Sequence, residues 1–307
     1  MAETASHFDV IVVGVGTMGS ATVLELARRG LRVLGLDRFQ PGHALGSHHG
    51  GSRIVRECYF EAPEYVPLLL ACREGWQRLE RDSGERIVHR PGVLYAGAAD
   101  SVVVSQSLQS GQRHGVPFEL WTAAEAMRRY PQFSLPTQWH VLFEPGSGFA
   151  RPERAVVASV RLARALGAQV HEHEPVLDWD ETHTGVRVRT HRGQYHAGSL
   201  VLTPGAWTPT IAARLGIPMQ PLRVPIAWLE PRDAMACAQP RLPVWYIDRP
   251  GQSGVYGVPT AADQGVPAGV KVAVHGDGQP IDPDAPRIAA SPAELESIRL
   301  ATEAFLP

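Results

Sequence analysis

The chain has 307 residues, of which 44% are apolar and 20% charged, with a net charge of −2. That length and balance allow one large or two ordinary domains and exclude a disordered or fibrous chain. With no basic block there is no footprint for nucleic acid or an anionic membrane, and no apolar run reaches membrane-spanning length. The three cysteines, Cys58, Cys72 and Cys237, are an odd set without C-x-x-C, and MAETASHFDV carries no signal-peptide pattern, so a cytoplasmic, reducing location is expected. The 13 histidines are scattered, and neither His48/His49 nor His171/His173 has a standard metal spacing, so no metal site is expected.

Phe8 to Val13 is a β-branched apolar run, the pattern of a strand buried on both faces. Gly14, Gly16 and Gly19 follow as G-x-G-x-x-G, then Thr17 to Arg29 has helical spacing, stopped by Gly30. Leu31 to Leu36 reads as a second strand with Asp37 at its end, 21 residues after Gly16. Each part has a physical reason. Gly14 permits the tight turn, Gly16 lets a pyrophosphate approach the backbone, and Gly19 lets helix and strand pack closely. The helix N-terminus donates N–H groups to phosphate, and Asp37 accepts from a ribose hydroxyl. The chain is expected to bind a dinucleotide, with NAD and FAD both open at this point.

Gly46-Ser47-His48-His49-Gly50-Gly51-Ser52-Arg53-Ile54-Val55-Arg56 is too polar and glycine-rich for a core and suits either a loop around a polar or anionic ligand or a solvated basic loop. Helices are then expected over Glu64–Arg81, Ala99–His114, Ala123–Tyr130 and Pro152–Leu166, with a strand at Val93–Tyr95. Short strands follow at Val176–Trp179, Val186–Thr190, Gln194–His196 and Leu200–Thr203. Beyond Ile217 further strands are expected near Leu222–Leu229, Val244–Ile247, Val255–Val258 and Val270–His275. The chain holds 28 arginines and a single lysine, Lys271, so the one position that is Lys invites a reason. His275 lies four residues on, which in a strand puts both side chains on one face.

GSHHGGSRIVR and the YVPLLL after it resemble the monomeric sarcosine oxidase and N-methyltryptophan oxidase family of FAD-dependent amine oxidases. Further matches follow in order: Phe143-Glu144-Pro145-Gly146-Ser147-Gly148, Pro204-Gly205-Ala206-Trp207, Gln220-Pro221-Leu222-Arg223, and Val270-Lys271 with His275 and Ile281-Asp282-Pro283-Asp284. The resemblance implies an α/β fold: a Rossmann-type FAD-binding domain over residues 1–92 and 150–216, intertwined with an antiparallel-β substrate domain over 93–149 and 217–307. It implies FAD rather than NAD, a secondary amino acid and O2 as reactants, hydride transfer to flavin N5, and an imine and hydrogen peroxide as products. A monomer is expected.

The resemblance also assigns roles. Lys271 matches the lysine that promotes reaction with oxygen, where a compact ammonium stabilises developing superoxide. His275 matches a substrate-site histidine, Arg56 the arginine that grips the substrate carboxylate, and Arg53 and His49 residues near the flavin ring. Thr17, Met18, Ser47, His48, Arg53 and Gly205 join the three glycines and Asp37 as expected cofactor contacts. Two departures stand out. Val255, before Tyr256, replaces an active-site tyrosine, which predicts a less polar pocket, and the loop Ala261–Gly269 is longer than usual. The family's cysteine for covalent FAD attachment falls beyond Pro307, so covalent attachment is not expected, and the FAD domain is expected to lack its closing segment. Two alternatives remain on the sequence alone. One is a truncated, non-catalytic remnant with weak or no FAD binding; the other is a nicotinamide-dependent dehydrogenase, against which the polar loop and the Lys271/His275 pair argue.

Overall fold

A computed structural model of the chain describes residues 7–211, 213–261, 266–276 and 278–307. The middle of the loop Ala261–Gly269, residues 262–265, lies outside the described residues. The chain forms two compact units, Met1–Gly51 with Gln77–Ile87 and Arg151–Pro221, and Ser52–Trp76 with Val88–Ala150 and Leu222–Pro307. This division differs from the sequence expectation chiefly in placing Ser52–Trp76 and residues 88–92 in the second unit, and residues 217–221 in the first. The strand Arg53–Val55 explains the first of these, because it pairs antiparallel with Gly148–Ala150, which lies in the second unit too.

The first unit is built on a six-stranded sheet. Its strands run in the order Val176–Thr182, Gly185–Thr190, Gly193–Leu202, His7–Val13, Val33–Leu36 and Gln169–His171. The last four are mutually parallel, and the first three form an antiparallel meander. His7–Val13 is apolar because it lies at the middle of this sheet, with Ile11 and Val12 fully buried. The helix Thr17–Arg28 follows it and packs on the helix Pro152–Ala165. Gln194–His196 and Leu200–Thr203, expected as two strands, are one strand, Gly193–Leu202. Gly198 reads as a break in sequence, yet Ala197 and Ser199 stay in register with Phe8 and Val10.

The second unit carries a seven-stranded sheet ordered Ala227–Leu229, Val270–Val274, Val255–Val258, Val244–Ile247, Val93–Gly97, His140–Glu144 and Glu119–Thr122. All its neighbours are antiparallel except Val244–Ile247 beside Val93–Gly97. The pleat sorts its side chains. Leu94, Trp245, Ile247, Val255, Val270, Val272 and Val274 form one core with Ile298 of the helix Pro292–Glu303. Val93, Tyr95, Val244, Tyr246 and Val258 pack on the opposite face. The expected strand Leu222–Leu229 is broken into Leu222–Arg223 and Ala227–Leu229, with Pro225 between them. The helix Pro292–Glu303 was not anticipated, although Ser291-Pro292-Ala293-Glu294 is a capping box with Pro at the first turn.

Candidate active site

In the first unit the glycine turn divides into positions the fold requires and one it does not. Gly14 has φ +85°, and a Cβ there would sit 2.4 Å from the Thr203 carbonyl oxygen. A Cβ on Gly19 would lie 1.8 Å from the Gly14 carbonyl oxygen, so this glycine sets the approach of helix to strand. Gly16 differs: a Cβ would meet only the His48 ring at 3.5 Å, ordinary contact. Nothing in the protein's own packing demands glycine at 16, so this face of the turn is open. Beside it the Thr17 hydroxyl is buried without a hydrogen-bond partner, and no acidic residue occupies the helix's first turn.

Asp37 ends the strand Val33–Leu36 and is 5% exposed. One carboxylate oxygen accepts from the Val15 N–H at 2.6 Å and the other from the Phe39 N–H at 2.7 Å, leaving lone pairs for ribose hydroxyls. Burial pushes its pKa up, against those two hydrogen bonds. The loop after it is held by the start of the helix Pro152–Ala165. Gly50 N–H and Gly51 N–H both donate to Glu153 Oε1 at 2.9 Å, and Arg151 donates to the Gly51 carbonyl at 2.7 Å. His48 is buried, with its ring 5.4 Å from that of His43. His49 is exposed, 3.7 Å from Glu153, and does not line the cavity described below; Met18, Ser47 and Gly205 are exposed too. The donor-rich helix start, the open Gly16 face and the buried acid fit an adenine dinucleotide such as FAD.

The second unit contains a cavity of about 430 Å³. Arg53, Arg56, Arg73, Arg90 and Lys271 supply cations to its wall, and Glu57 an acid. Lys271 faces it because its neighbours Val270 and Val272 face the core on the other side of the strand. The ammonium is buried, 4% exposed, and donates to the Ser52 carbonyl at 2.7 Å. Arg53 Nη1 donates to the same oxygen at 2.8 Å. One carbonyl thus gathers two cations, which makes this end of the cavity a place that favours developing negative charge.

Arg56 sits between the Tyr59 and Phe60 rings, at 4.4 and 4.3 Å from their centroids. Its Nη2 is engaged by Glu61, while Nη1 is buried without a hydrogen-bond partner. A buried guanidinium donor without a partner is costly, and an anionic oxygen is the partner that would satisfy it best. Arg73 forms a bidentate pair with Glu57, and Arg90 donates to the Gly146 carbonyl.

The strand expected to reach His275 ends at Val274, and Gly276, with φ +79°, turns the chain. His275 N–H donates to the Gly254 carbonyl at 2.7 Å. Its ring packs on Tyr246 at 5.5 Å and lines the cavity while staying exposed. Lys271 and His275 therefore share the cavity, with the ammonium directed to Ser52 and the imidazole to an aromatic group. The expectation of a less polar pocket from Val255 is corrected. Val255 points into the core, and its neighbour Tyr256 lines the cavity with Tyr59, Tyr95 and Tyr246. Burial pushes the Tyr246 hydroxyl up to about 12 and raises that of Tyr256, so both are donors at neutral pH. Sequence reasoning did not single out Arg73, Arg90, Trp76 or these tyrosines. The spacing of Leu69, Arg73 and Trp76 along the helix Val66–Ser83 was the available signal for a shared face.

The model of the FAD dependent oxidoreductase family matches residues 9–307. Monomeric sarcosine oxidase of Streptomyces avermitilis is 40% identical over 279 residues, covering 90% of this chain and 72% of that protein. N-methyl-L-tryptophan oxidase of Salmonella heidelberg is 34% identical over 274 residues, covering 89% and 72%. Among solved structures, the open form of NikD, an unusual amino acid oxidase essential for nikkomycin biosynthesis, superposes with a TM-score of 0.80 at 27% identity, covering 98% of this chain and 78% of that one. L-proline dehydrogenase from P. horikoshii, at 20% identity and TM-score 0.80, shares the fold.

Proposed function

Because this chain belongs to the FAD dependent oxidoreductase family, we propose that it oxidises a secondary, N-methyl or cyclic, amino acid with O2, giving hydrogen peroxide and an imine that hydrolyses. The observation that carries this reading is the cavity that combines the unmatched Arg56 Nη1 with the Lys271/Arg53 pair on the Ser52 carbonyl. FAD, the family's cofactor, would be held by the Gly14–Gly19 turn, Thr17 and Asp37, and supplies the hydride acceptor and the electrons that reduce oxygen.

The chain's own residues have separable tasks. Arg56 donates to the substrate carboxylate from Nη1, the nitrogen that Glu61 leaves unused, and thereby orients the amine-bearing carbon. Tyr246, Tyr256, Trp76 and Val258 enclose the rest of the substrate and limit water. Lys271 and Arg53 would stabilise negative charge as it builds on oxygen. The relatives named monomeric sarcosine oxidase support a monomer. The reading is tested by incubating the FAD-loaded chain with sarcosine, N-methyl-L-tryptophan and L-proline and measuring peroxide. Peroxide with any of them supports it, and none with all three contradicts it.

A further inference from the structure

The strand Arg53–Val55 ends one residue before Arg56, where the carbonyls that precede its partner Gly148–Ala150 are taken, Ser147 by the Gly92 N–H and Gly146 by Arg90. The next N–H groups, of Glu57 and Cys58, are buried and need acceptors. Both are taken by one side chain. Glu144 Oε1 accepts from Glu57 N–H at 2.7 Å, and Oε2 from Cys58 N–H at 3.2 Å. The Ser147 hydroxyl donates to Oε1, and the Tyr95 hydroxyl lies 3.4 Å from Oε2. Four donors on four lone-pair sites suit an acceptor-only carboxylate and work against the burial that pushes its pKa up. Glu144 is 1% exposed and belongs to the seven-stranded sheet, where it pairs with Val93.

From this we infer that Glu144 is a positioning residue for Arg56: its carboxylate fixes the backbone just after Arg56 to the sheet that carries Lys271, so that the guanidinium meets a substrate carboxylate at a set distance from the oxygen-activating cations. Among the described residues these two N–H groups have no other acceptor within the second unit. Gln cannot replace it, since an amide has one acceptor oxygen and would turn an N–H toward a backbone N–H. The inference rests on the role proposed for Arg56 and names what holds that role in place.

The test compares sarcosine with sarcosinamide, or N-methyl-L-tryptophan with its amide, in the FAD-loaded full chain. E144Q is expected to raise KM for the acid about 10-fold, the scale of a weakened hydrogen bond to a charged group, with kcat within about 2-fold. Turnover of the amide should stay within about 2-fold of the unmodified chain. R56A should abolish the acid-over-amide preference, and adding E144Q to it should lower that preference no further. Should E144Q fail to fold, E144D, one methylene shorter, is expected to give a smaller loss of the same preference. A preference kept in E144Q, or acid and amide weakened equally, overturns the positioning role while leaving that of Arg56 intact. A preference unaffected by R56A overturns both.

Discussion

The Lys271 ammonium donates to the Ser52 carbonyl at 2.7 Å, and Arg53 donates to the same oxygen from the neighbouring residue. The chain's single lysine is thereby held by a backbone carbonyl, a partner that leaves the ammonium its charge. Lys271→Met removes the charge and keeps much of the volume. We expect flavin reduction by substrate within about 3-fold of the unmodified rate, and reoxidation by O2 slowed by roughly 100-fold or more. Stopped-flow absorbance separates the two half-reactions, and equal slowing of both contradicts the role.

Arg56→Ala should raise KM for carboxylate-bearing amines by about 10- to 100-fold, corresponding to roughly 1.5–3 kcal/mol for a hydrogen bond to a charged group. Steady-state kinetics across substrate concentration checks it. Arg56→Lys should recover only part of the loss, since an ammonium keeps the charge but not the planar fork.

The glycine turn makes a paired prediction. Gly19→Ala places a methyl 1.8 Å from the Gly14 carbonyl oxygen and should lower the unfolding temperature of the chain with or without FAD. Gly16→Ala meets nothing closer than 3.5 Å, so the FAD-free chain should unfold as before while FAD affinity falls. Thermal unfolding and FAD titration by fluorescence distinguish the two outcomes.

Arg223 forms a double contact with Glu294 at the start of the helix Pro292–Glu303. Its guanidinium, with the Ser291 backbone and hydroxyl, holds the Glu294 carboxyl down at about 2, below its ordinary 4.5. A carboxyl depressed in the folded chain stabilises it fully above pH 4.5 and loses that contribution as pH falls toward 2. Glu294→Gln should therefore unfold at a lower temperature than the unmodified chain at pH 7, with the gap narrowing below pH 4.5. A gap independent of pH would assign the effect to capping geometry instead.

The turn and helix of the first unit were legible because several local signals agree there: a buried strand, three glycines at fixed spacing, a helix stop and Asp37. Lys271 was legible through composition alone. Tyr246, Trp76, Arg73 and Glu144 were not, since their value comes from strands and a helix far apart in sequence that meet around one cavity. Val255 shows the same limit: a motif aligned by one residue assigns a side chain to the cavity, whereas the pleat turns it into the core and presents Tyr256 instead. Short strands such as Gly148–Ala150 carry almost no periodic signal, and this one exists because Arg53–Val55 and Val88–His89 pair with it on either side.

The most direct test of the account is anaerobic mixing of the FAD-loaded chain with sarcosine or N-methyl-L-tryptophan, followed by admission of O2. The flavin absorbance is expected to bleach without oxygen and to return with it, releasing one peroxide per flavin reoxidised. A flavin that stays oxidised with both amino acids, while the protein remains folded and FAD-bound, would contradict it.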